Sequence, residues 1–276
     1  MIKILINGIN GKMGRAIAQS AYKSLEMKII GGIGPAGRSY IGTDLGVLVG
    51  LGNAIGVKVY DDINQIIEKC DVVLDCTRAE VTLELLETCI KYKKSLVTGT
   101  TGFSDKEKRQ IKEAGQYIPI LLASNTSKIA HVFFEIVETL TKKLGKYADI
   151  DIIEMHDNKK PDAPSGTAKE IASIISDQLE VKLENIAEYG RRGKGIRPCQ
   201  SICFSSIRSG GFPSSHKIIF GFQNEKIELQ LDGYNMHPYA NGIIDAVIFL
   251  SNKKPGFYTF DQVITNSNFK YKKGNS

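Results

Sequence analysis

The sequence predicts an α/β fold, in which a Rossmann-like, doubly wound parallel sheet is joined to an α+β domain with a mostly antiparallel sheet. Short apolar runs alternate with amphipathic segments as far as about residue 127, which is typical of repeated βαβ units. Beyond that point apolar runs follow one another over short connections, which indicates antiparallel pairing. The 276 residues, 42% of them hydrophobic, are enough to bury two cores.

The first half predicts strands and helices in alternation. Short apolar runs predict the strands, and apolar residues spaced three and four apart predict the helices. A serine cap, Ser104, precedes the last of these helices. The predicted strands are 2–7, 27–33, 57–60, 71–76, 95–98 and 118–123, and the predicted helices are 12–24, 62–69, 79–92 and 104–116.

The second half predicts a helix, a strand and a further helix, followed by three successive strands. A final helix is expected to return to the first domain. The helices are predicted at 129–144, 167–179 and 238–250, and the strands at 149–156, 201–207, 217–222 and 226–231.

The composition excludes several classes of protein. The five cysteines are scattered without the paired spacing of a zinc site, so we expect no disulfide framework, no metal site and a reducing, cytoplasmic compartment. The start of the chain does not resemble a signal peptide, and no window approaches the roughly 20 apolar residues of a membrane span. The net charge of +6 comes without an aromatic–basic motif, which favours a small acidic substrate over nucleic acid.

A glycine-rich loop, Gly8-Ile-Asn-Gly11-Lys-Met-Gly14, follows the first predicted strand. Glycines at a strand-to-helix junction let the backbone approach a pyrophosphate, which the helix N-terminus then attracts. Asn10 stands where the common dinucleotide-binding pattern has its second glycine, and asparagine tolerates a positive φ. The loop predicts dinucleotide binding, and the alternative is a tight turn without a ligand.

The cofactor's form stays open. An acidic residue at the end of the second strand would grip the ribose of NAD, but this chain has Gly34 there. Arg38, a few residues on, is a candidate for binding the 2′-phosphate of NADP, and it is equally well explained as a solvated loop arginine. We therefore expect NADPH, NADH or both.

Three further loops are expected at the same edge of the parallel sheet. They begin at Thr77, Gly99 and Ala123, each directly after a predicted strand. Because the carboxyl ends of parallel strands meet at one edge, these loops predict the wall of a cofactor cleft.

The segment 154–167 is the densest in candidate chemistry. His156 titrates near neutrality and is the natural proton donor, and Lys160 supplies a cation for a substrate carboxylate. Gly166 and Thr167 open a helix whose first N–H groups form an anion site, with either Thr167 or Ser165 as the cap. Each residue alone also fits an ordinary surface position or helix start.

Together these motifs resemble the 4-hydroxy-tetrahydrodipicolinate reductase (dihydrodipicolinate reductase) family. The likeness rests on Glu154-x-His156-x-x-x-Lys160-x-Asp-Ala-Pro-Ser-Gly-Thr, the first glycine loop, Asp75-Cys-Thr-Arg78, Gly99-Thr-Thr-Gly-Phe103 and Ala240-Asn-Gly242, and it spans nearly the whole chain. It implies a dinucleotide-binding domain of residues 1–127 and 237–276, and a substrate-binding and tetramerisation domain of residues 128–236.

The resemblance also implies an activity and its residues. A hydride would pass from NADPH or NADH to 4-hydroxy-tetrahydrodipicolinate, giving tetrahydrodipicolinate for lysine and diaminopimelate biosynthesis, in a cytoplasmic homotetramer. His156 and Lys160 would be catalytic, and Lys160, Ser165, Gly166 and Thr167 would bind substrate. The implied cofactor contacts are Gly8, Ile9, Asn10, Gly11, Lys12, Met13, Gly99, Thr100, Thr101, Ala123, Ser124, Asn125 and Thr126.

The chain departs from the family pattern at two places. Asp157 stands where a second histidine is common, and Met236-His237 where an arginine often precedes Ala-Asn-Gly. Two other functions fit the glycine loop: a different two-domain reductase of amino-acid metabolism, and a dinucleotide-sensing regulator without catalysis. The regulator would not need His156 or Lys160.

Overall fold

The computed structural model describes residues 1–212 and 214–266, and the chain divides into two compact units. One unit comprises Met1–Lys128 together with the chain from Met236 onward, and the other comprises Ile129–Asn235. Residues 267–276 of the predicted first domain lie outside the described residues.

The strands of the described chain are β1 (Ile2–Asn7), β2 (Met27–Ile33), β3 (Val59–Tyr60), β4 (Val72–Asp75), β5 (Ser95–Thr98), β6 (Pro119–Leu122), β7 (Asp149–His156), β8 (Ala187–Tyr189), β9 (Ile202–Arg208), β10 (Ser214–Gly221), β11 (Lys226–Gly233) and β12 (Gly256–Tyr258). The α-helices are α1 (Lys12–Tyr22), α2 (Leu45–Val49), α3 (Ala79–Lys91), α4 (Asp105–Ala114), α5 (Lys128–Leu144), α6 (Gly166–Gln178), α7 (Leu183–Ile186), α8 (His237–Leu250) and α9 (Phe260–Asn266).

The first unit is built on a parallel sheet with strand order β12-β6-β5-β4-β1-β2-β3. Every residue of β4 is buried, as expected for a strand covered on both faces. One face packs against α1 and α8, and the other against α3 and α4. Because the strands are parallel, the loops that follow β1, β4, β5 and β6 share one edge of the sheet, and the switch point of the sheet lies between β1 and β4.

The second unit has a mixed sheet with strand order β11-β10-β7-β9-β8. The two pairings of β10 are antiparallel and run along its whole length, or nearly so, whereas β7–β9 and β8–β9 are parallel. Helices α5 and α6 cover one face, where Ile150 and Ile152 of β7 join the core. The predicted fold class is confirmed.

Several predicted elements need correction. The single helix predicted at 62–69 is two short 3₁₀ turns, Ile63–Gln65 and Ile67–Lys69. The predicted strand 57–60 shortens to Val59–Tyr60. The sequence analysis did not identify α2, α7, α9, β8 or β12; none of them exceeds seven residues, so none shows a clear period.

Helix α8 approaches the loop after β6 more closely than any side chain would allow. A Cβ added at Gly242 would overlap the carbonyl oxygen of Thr126. The Thr126 hydroxyl in turn donates a hydrogen bond to the carbonyl of Tyr239, at 2.8 Å. This contact fixes the loop that follows β6 against the first turn of α8.

We expect Gly242→Ala to destabilise the protein by about 2 kcal/mol or more, because the methyl group forces backbone apart in a packed core. Alanine normally stabilises a helix interior relative to glycine, so a loss of stability in Gly242→Ala would be due to the close approach and not to helix propensity. Chemical unfolding measures the loss, with Gly221→Ala as the control because its Cβ would meet only ordinary contacts, at 3.6 Å or more. A neutral or stabilising Gly242→Ala contradicts the close approach.

Candidate functional site

The loop between β1 and α1 turns at Gly8, which has φ of +80°. A Cβ there would lie 2.9 Å from the carbonyl oxygen of Cys76 and from a methyl carbon of Thr77. The N–H groups of Gly8 and Ile9 both donate to the carbonyl of Ile33. The left-handed residue is thus Gly8, and Asn10 makes the turn without a positive φ.

The N-terminus of α1 suits an anion. Its cap, Gly11, offers no side-chain acceptor, and its first turn holds no acidic residue. Helix α4 of the same unit, by contrast, has a full capping box between Ser104 and Glu107. Arg15 braces the loop from within the helix, since its guanidinium donates to Asn10 Oδ1 and to the Leu48 carbonyl, each at 2.5 Å. An uncapped, glycine-rich helix start of this kind fits a pyrophosphate.

A buried carboxylate, Asp75 at the end of β4, organises the neighbouring loops. It is fully buried and accepts hydrogen bonds at 2.6–3.1 Å from Asn7, Thr77, Thr82, Thr98 and Thr100. These donors come from β1, β5, α3 and the loops after β4 and β5. One side chain therefore ties the ends of three strands together.

These loops enclose a pocket at the carboxyl edge of the sheet. Seven of the predicted cofactor contacts line it: Met13, Gly99, Thr100, Thr101, Ala123, Ser124 and Thr126. Asn125 is buried behind it, where its side chain accepts a hydrogen bond from the Ser127 N–H. The predicted residues Gly8–Lys12 form the adjoining turn. Thr77, which begins the first of the three predicted wall loops, also lines the pocket, and the structure adds Cys76, Tyr239 and Ile243.

The end of β2 has no room for an acidic side chain. A Cβ at Gly34 would lie 2.6 Å from the ring of Tyr40, which therefore fills the position of the ribose-gripping acid. The side chain of Arg38 is exposed on the same loop.

In the second unit, polar groups cluster where β7 ends. Glu154 and His156 lie on the face of β7 that carries Ile150 and Ile152, so this face changes from apolar to polar along the strand. His156 Nε2 lies 3.3 Å from Glu154 Oε2. Lys160 is half-buried and forms a 2.8 Å ion pair with Asp162.

Helix α6 starts beside this cluster. Its cap is Ser165, whose hydroxyl accepts the N–H of Ala168 at 3.2 Å, so the alternative cap at Thr167 is wrong. The Ser165 hydroxyl also bonds His216 Nε2 at 3.0 Å. Gly166, the first helical residue, faces open space, since a Cβ there would meet no atom within 4 Å.

Arg208 and His216 complete the cluster from neighbouring strands. The guanidinium of Arg208 binds both oxygens of Glu154, at 2.7 and 2.9 Å, and donates to the carbonyl of Asp162. The ring of His216 meets the ring of His156 edge to face, with centroids 5.2 Å apart. Both residues were missed in the sequence analysis. The available signal was a glutamate on the face of β7 that carries Ile150 and Ile152, because a buried charge requires a partner.

The charged groups in this cluster shift the pKa values of Glu154 and His156. Burial and the nearby Lys160 ammonium lower the pKa of His156, and Glu154 opposes them. Burial would raise the pKa of Glu154, but hydrogen bonds from Arg208 and Ser206 hold it below its ordinary value. The site therefore presents an ionised carboxylate, its guanidinium partner and a histidine that gives up its proton readily.

Glu154, His156 and His216 also offer three ligand atoms within 4.8 Å of one another. A metal ion there would have to displace the Arg208 guanidinium, which already bonds both oxygens of Glu154. We therefore assign these residues no metal.

Comparison with known proteins identifies the family. Two family models match, described as dihydrodipicolinate reductase, N-terminus, over residues 2–126, and dihydrodipicolinate reductase, C-terminus, over residues 130–264. This chain belongs to the dihydrodipicolinate reductase family. A 4-hydroxy-tetrahydrodipicolinate reductase from Colwellia psychrerythraea is 36% identical over 264 residues, which cover 95% of this chain and 98% of that relative. The prediction of a reductase of this family is confirmed.

Solved structures share the fold. A dipicolinate-bound dihydrodipicolinate reductase from Paenisporosarcina sp. TG-14 superposes with a TM-score of 0.70 at 22% identity, covering 94% of this chain and 97% of that one. GenD2 from gentamicin A biosynthesis, in complex with NAD, gives 0.61 at 10% identity, covering 96% and 90%. Among the described residues, no helix has the length and apolar character to cross a membrane.

The two departures from the dihydrodipicolinate reductase pattern lie at the ends of elements. Asp157 follows β7, and its carboxylate accepts the N–H of Lys159 at 2.9 Å. His237 is the first residue of α8 and is exposed.

We expect His216 to make stability depend on pH. Burial, with the charge of His156 adding to it, lowers the pKa of His216 to about 4. Between pH 6.5 and 4 the unfolded chain binds a proton here that the folded chain does not, so stability falls as the pH falls, by about 3 kcal/mol. Denaturant unfolding across this range measures the slope. In His216→Asn the slope flattens, whereas an unchanged slope rejects a buried neutral histidine.

Proposed function

We propose that this protein reduces 4-hydroxy-tetrahydrodipicolinate to tetrahydrodipicolinate with NADPH or NADH, in lysine and diaminopimelate biosynthesis. One observation carries the proposal: His156, Lys160 and the start of α6 come together at the end of β7, within the segment that matches the family signature. The relative from Colwellia psychrerythraea is a 4-hydroxy-tetrahydrodipicolinate reductase. The chemistry below is assigned to this chain's residues on that basis.

The first unit is the proposed cofactor-binding domain, with the contacts named from the sequence. The uncapped start of α1 fits the pyrophosphate, and the pocket lined by Met13, Gly99 and Ala123 fits the nicotinamide end. When bound, the reduced nicotinamide supplies a hydride to a ring carbon of the substrate. Gly34 leaves no carboxylate to repel a 2′-phosphate, and Arg38 offers a cation for it.

The second unit is the proposed substrate-binding domain. Lys160 and the helix start formed by Ser165, Gly166 and Thr167 would hold a substrate carboxylate. Asp162 occupies Lys160 in this structure, so a carboxylate entering the site would exchange one anionic partner of Lys160 for another. Holding the substrate in this way contributes mainly orientation.

His156 is the proposed general acid. The hydroxyl group of 4-hydroxy-tetrahydrodipicolinate leaves as water, which gives a conjugated imine. Hydride addition to that imine leaves negative charge on the substrate nitrogen, and protonation by the imidazolium neutralises it. The lowered pKa of His156 eases proton release. The lowered pKa also means that only a small fraction of His156 is protonated in the free enzyme at neutral pH. The negative charge of a bound dicarboxylate would raise that fraction.

We further propose a cytoplasmic homotetramer assembled through the second unit, without nucleic-acid or membrane partners. The mild positive charge of +6 and the family membership support this assignment. Light scattering of the purified protein tests the oligomeric state.

We expect His156→Ala and Lys160→Ala each to lower turnover about 10²-fold or more while leaving dinucleotide affinity within about threefold of wild type. Coupled oxidation of NADPH, started with the condensation product of aspartate semialdehyde and pyruvate, measures turnover. The matched control is Lys159→Ala, since Lys159 is the exposed neighbour of Lys160. Unchanged turnover in the two variants rejects their roles. Wild-type turnover on a simple 2-oxo acid alone indicates another reductase, and dinucleotide binding without turnover indicates a regulator.

We expect Arg38→Ala to weaken NADPH binding about tenfold and NADH binding hardly at all, because only NADPH carries the 2′-phosphate. Fluorescence titration of both cofactors measures the effect. Lys28→Ala is the control, since it removes an exposed positive charge at the opposite end of β2. Equal NADPH affinity in Arg38→Ala and wild type eliminates Arg38 as the phosphate-binding residue.

A further inference from the structure

Glu154 and Arg208 form an ion pair directly beside the proposed proton donor. The parallel register of β7 and β9 places Arg208 opposite His156, and Glu154 and His156 share one face of β7. The side chain of Glu154 is 0% exposed, and that of Arg208 is 17% exposed. A carboxylate this deeply buried is held in its charged form by the guanidinium that binds both of its oxygens.

The carboxylate faces one specific nitrogen of His156. Nε2 is buried and makes no hydrogen bond, yet it lies 3.3 Å from Glu154 Oε2. A small rotation of the ring is enough to turn this contact into a charge-assisted hydrogen bond when the ring is protonated.

The same pair also holds the segment that carries the other proposed site residues. Glu154 Oε1 accepts the N–H of Ser165 at 3.3 Å, and Arg208 donates to the carbonyl of Asp162 at 2.6 Å. The chain between β7 and α6, which includes Lys160, is thereby attached to Glu154 and Arg208 near its C-terminal end.

We propose that Glu154, neutralised by Arg208, is a positioning residue for the reduction. It holds the His156 ring through Nε2, leaves Nδ1 as the nitrogen that delivers the proton, and stabilises the imidazolium before transfer. This inference rests on the proposed function, in which His156 is the general acid.

The charged and titratable groups around His156 make the effect of Glu154 measurable. Glu154 lies on its own strand, Lys160 and Asp162 follow that strand, Arg208 comes from β9 and His216 from β10. Lys160 and Arg208 favour the neutral ring, whereas Glu154 and Asp162 favour the protonated ring. Removal of the Glu154 charge therefore leaves the ring with an excess of positive neighbours.

The first test is Glu154→Gln, which keeps the shape of the side chain and removes its charge. NMR titration of His156, without substrate or cofactor, is expected to show its pKa fall by about one unit, and kcat to fall about tenfold with a smaller change in KM. The control is Asp151→Asn, which breaks an ion pair with Arg197 (2.7 Å) at the other end of β7 and leaves both quantities unchanged. An unchanged His156 pKa in Glu154→Gln overturns the proposal.

The second test guards against misfolding, since Glu154→Gln leaves a guanidinium without its counter-charge. In the double variant Glu154→Gln/Arg208→Met both charges are absent, so the His156 pKa is expected to return towards the wild-type value. The value of kcat stays low, because the ring has lost its anchor at Nε2. Wild-type kcat in the double variant overturns the proposal. A wild-type protein without reductase activity rejects the proposed function instead, and the titration still decides whether Glu154 and His156 are coupled.

Discussion

A carboxylate that water cannot reach must have its oxygens satisfied by the protein, and this constraint shapes both units. Asp75 and Glu154 are each 0% exposed, and each lies at or near the carboxyl end of a central strand. Asp75 is satisfied by an amide and four hydroxyls, and Glu154 by a guanidinium, the Ser206 side chain and a backbone N–H. Because every donor must come to the carboxylate, the loops that carry the donors are fixed as well.

The two sets of donors differ in the charge that they place beside the neighbouring site. Neutral donors around Asp75 hold loops in place without adding a positive charge near the pocket of the first unit. The guanidinium on Glu154 balances its charge, so that His156 sits among groups of both signs rather than beside an isolated anion. Small displacements of any of these groups then change the protonation of the ring.

The elements that were predictable from the sequence are those whose period is long enough to recognise. The helices near 79–91 and 129–144 were predicted to within a residue of their observed bounds, because each has at least four buried positions on one face. The strand at 149–156 was predicted with its exact bounds, because polar and apolar residues alternate over its first four positions. Short elements such as β12 have too few residues for a period, and their pairing depends on a partner far along the chain. The 3₁₀ turns at 63–69 keep the helical spacing but are too short for an α-helix.

The residues of the candidate site also fall into two groups, those that a local sequence pattern predicts and those that only the tertiary fold brings in. His156, Lys160 and Ser165 lie within ten residues of one another, so their spacing alone predicted their association. Arg208 and His216 reach them through strand pairing, and no local pattern encodes that register. The N-cap of α6 is Ser165 rather than Thr167, and this choice depends on the residue at which the preceding segment ends and the helix begins. The side chain that fills the space at Gly34 is equally a matter of tertiary folding, because Tyr40 returns there from a loop.

The return of α8 and β12 to the first unit has a consequence for how the protein is made on the ribosome. Residues 1–128 emerge first, but the face of their sheet that α1 and α8 share lacks Ile243 and Val247 of α8, and is covered by only α1 of these two helices, until the whole second unit has been synthesised. At 5–20 residues per second, that delay is on the order of ten seconds. Throughout it the nascent first unit exposes an apolar surface and an unpaired edge at β6, while the second unit, whose sequence is continuous, is free to fold as soon as it emerges.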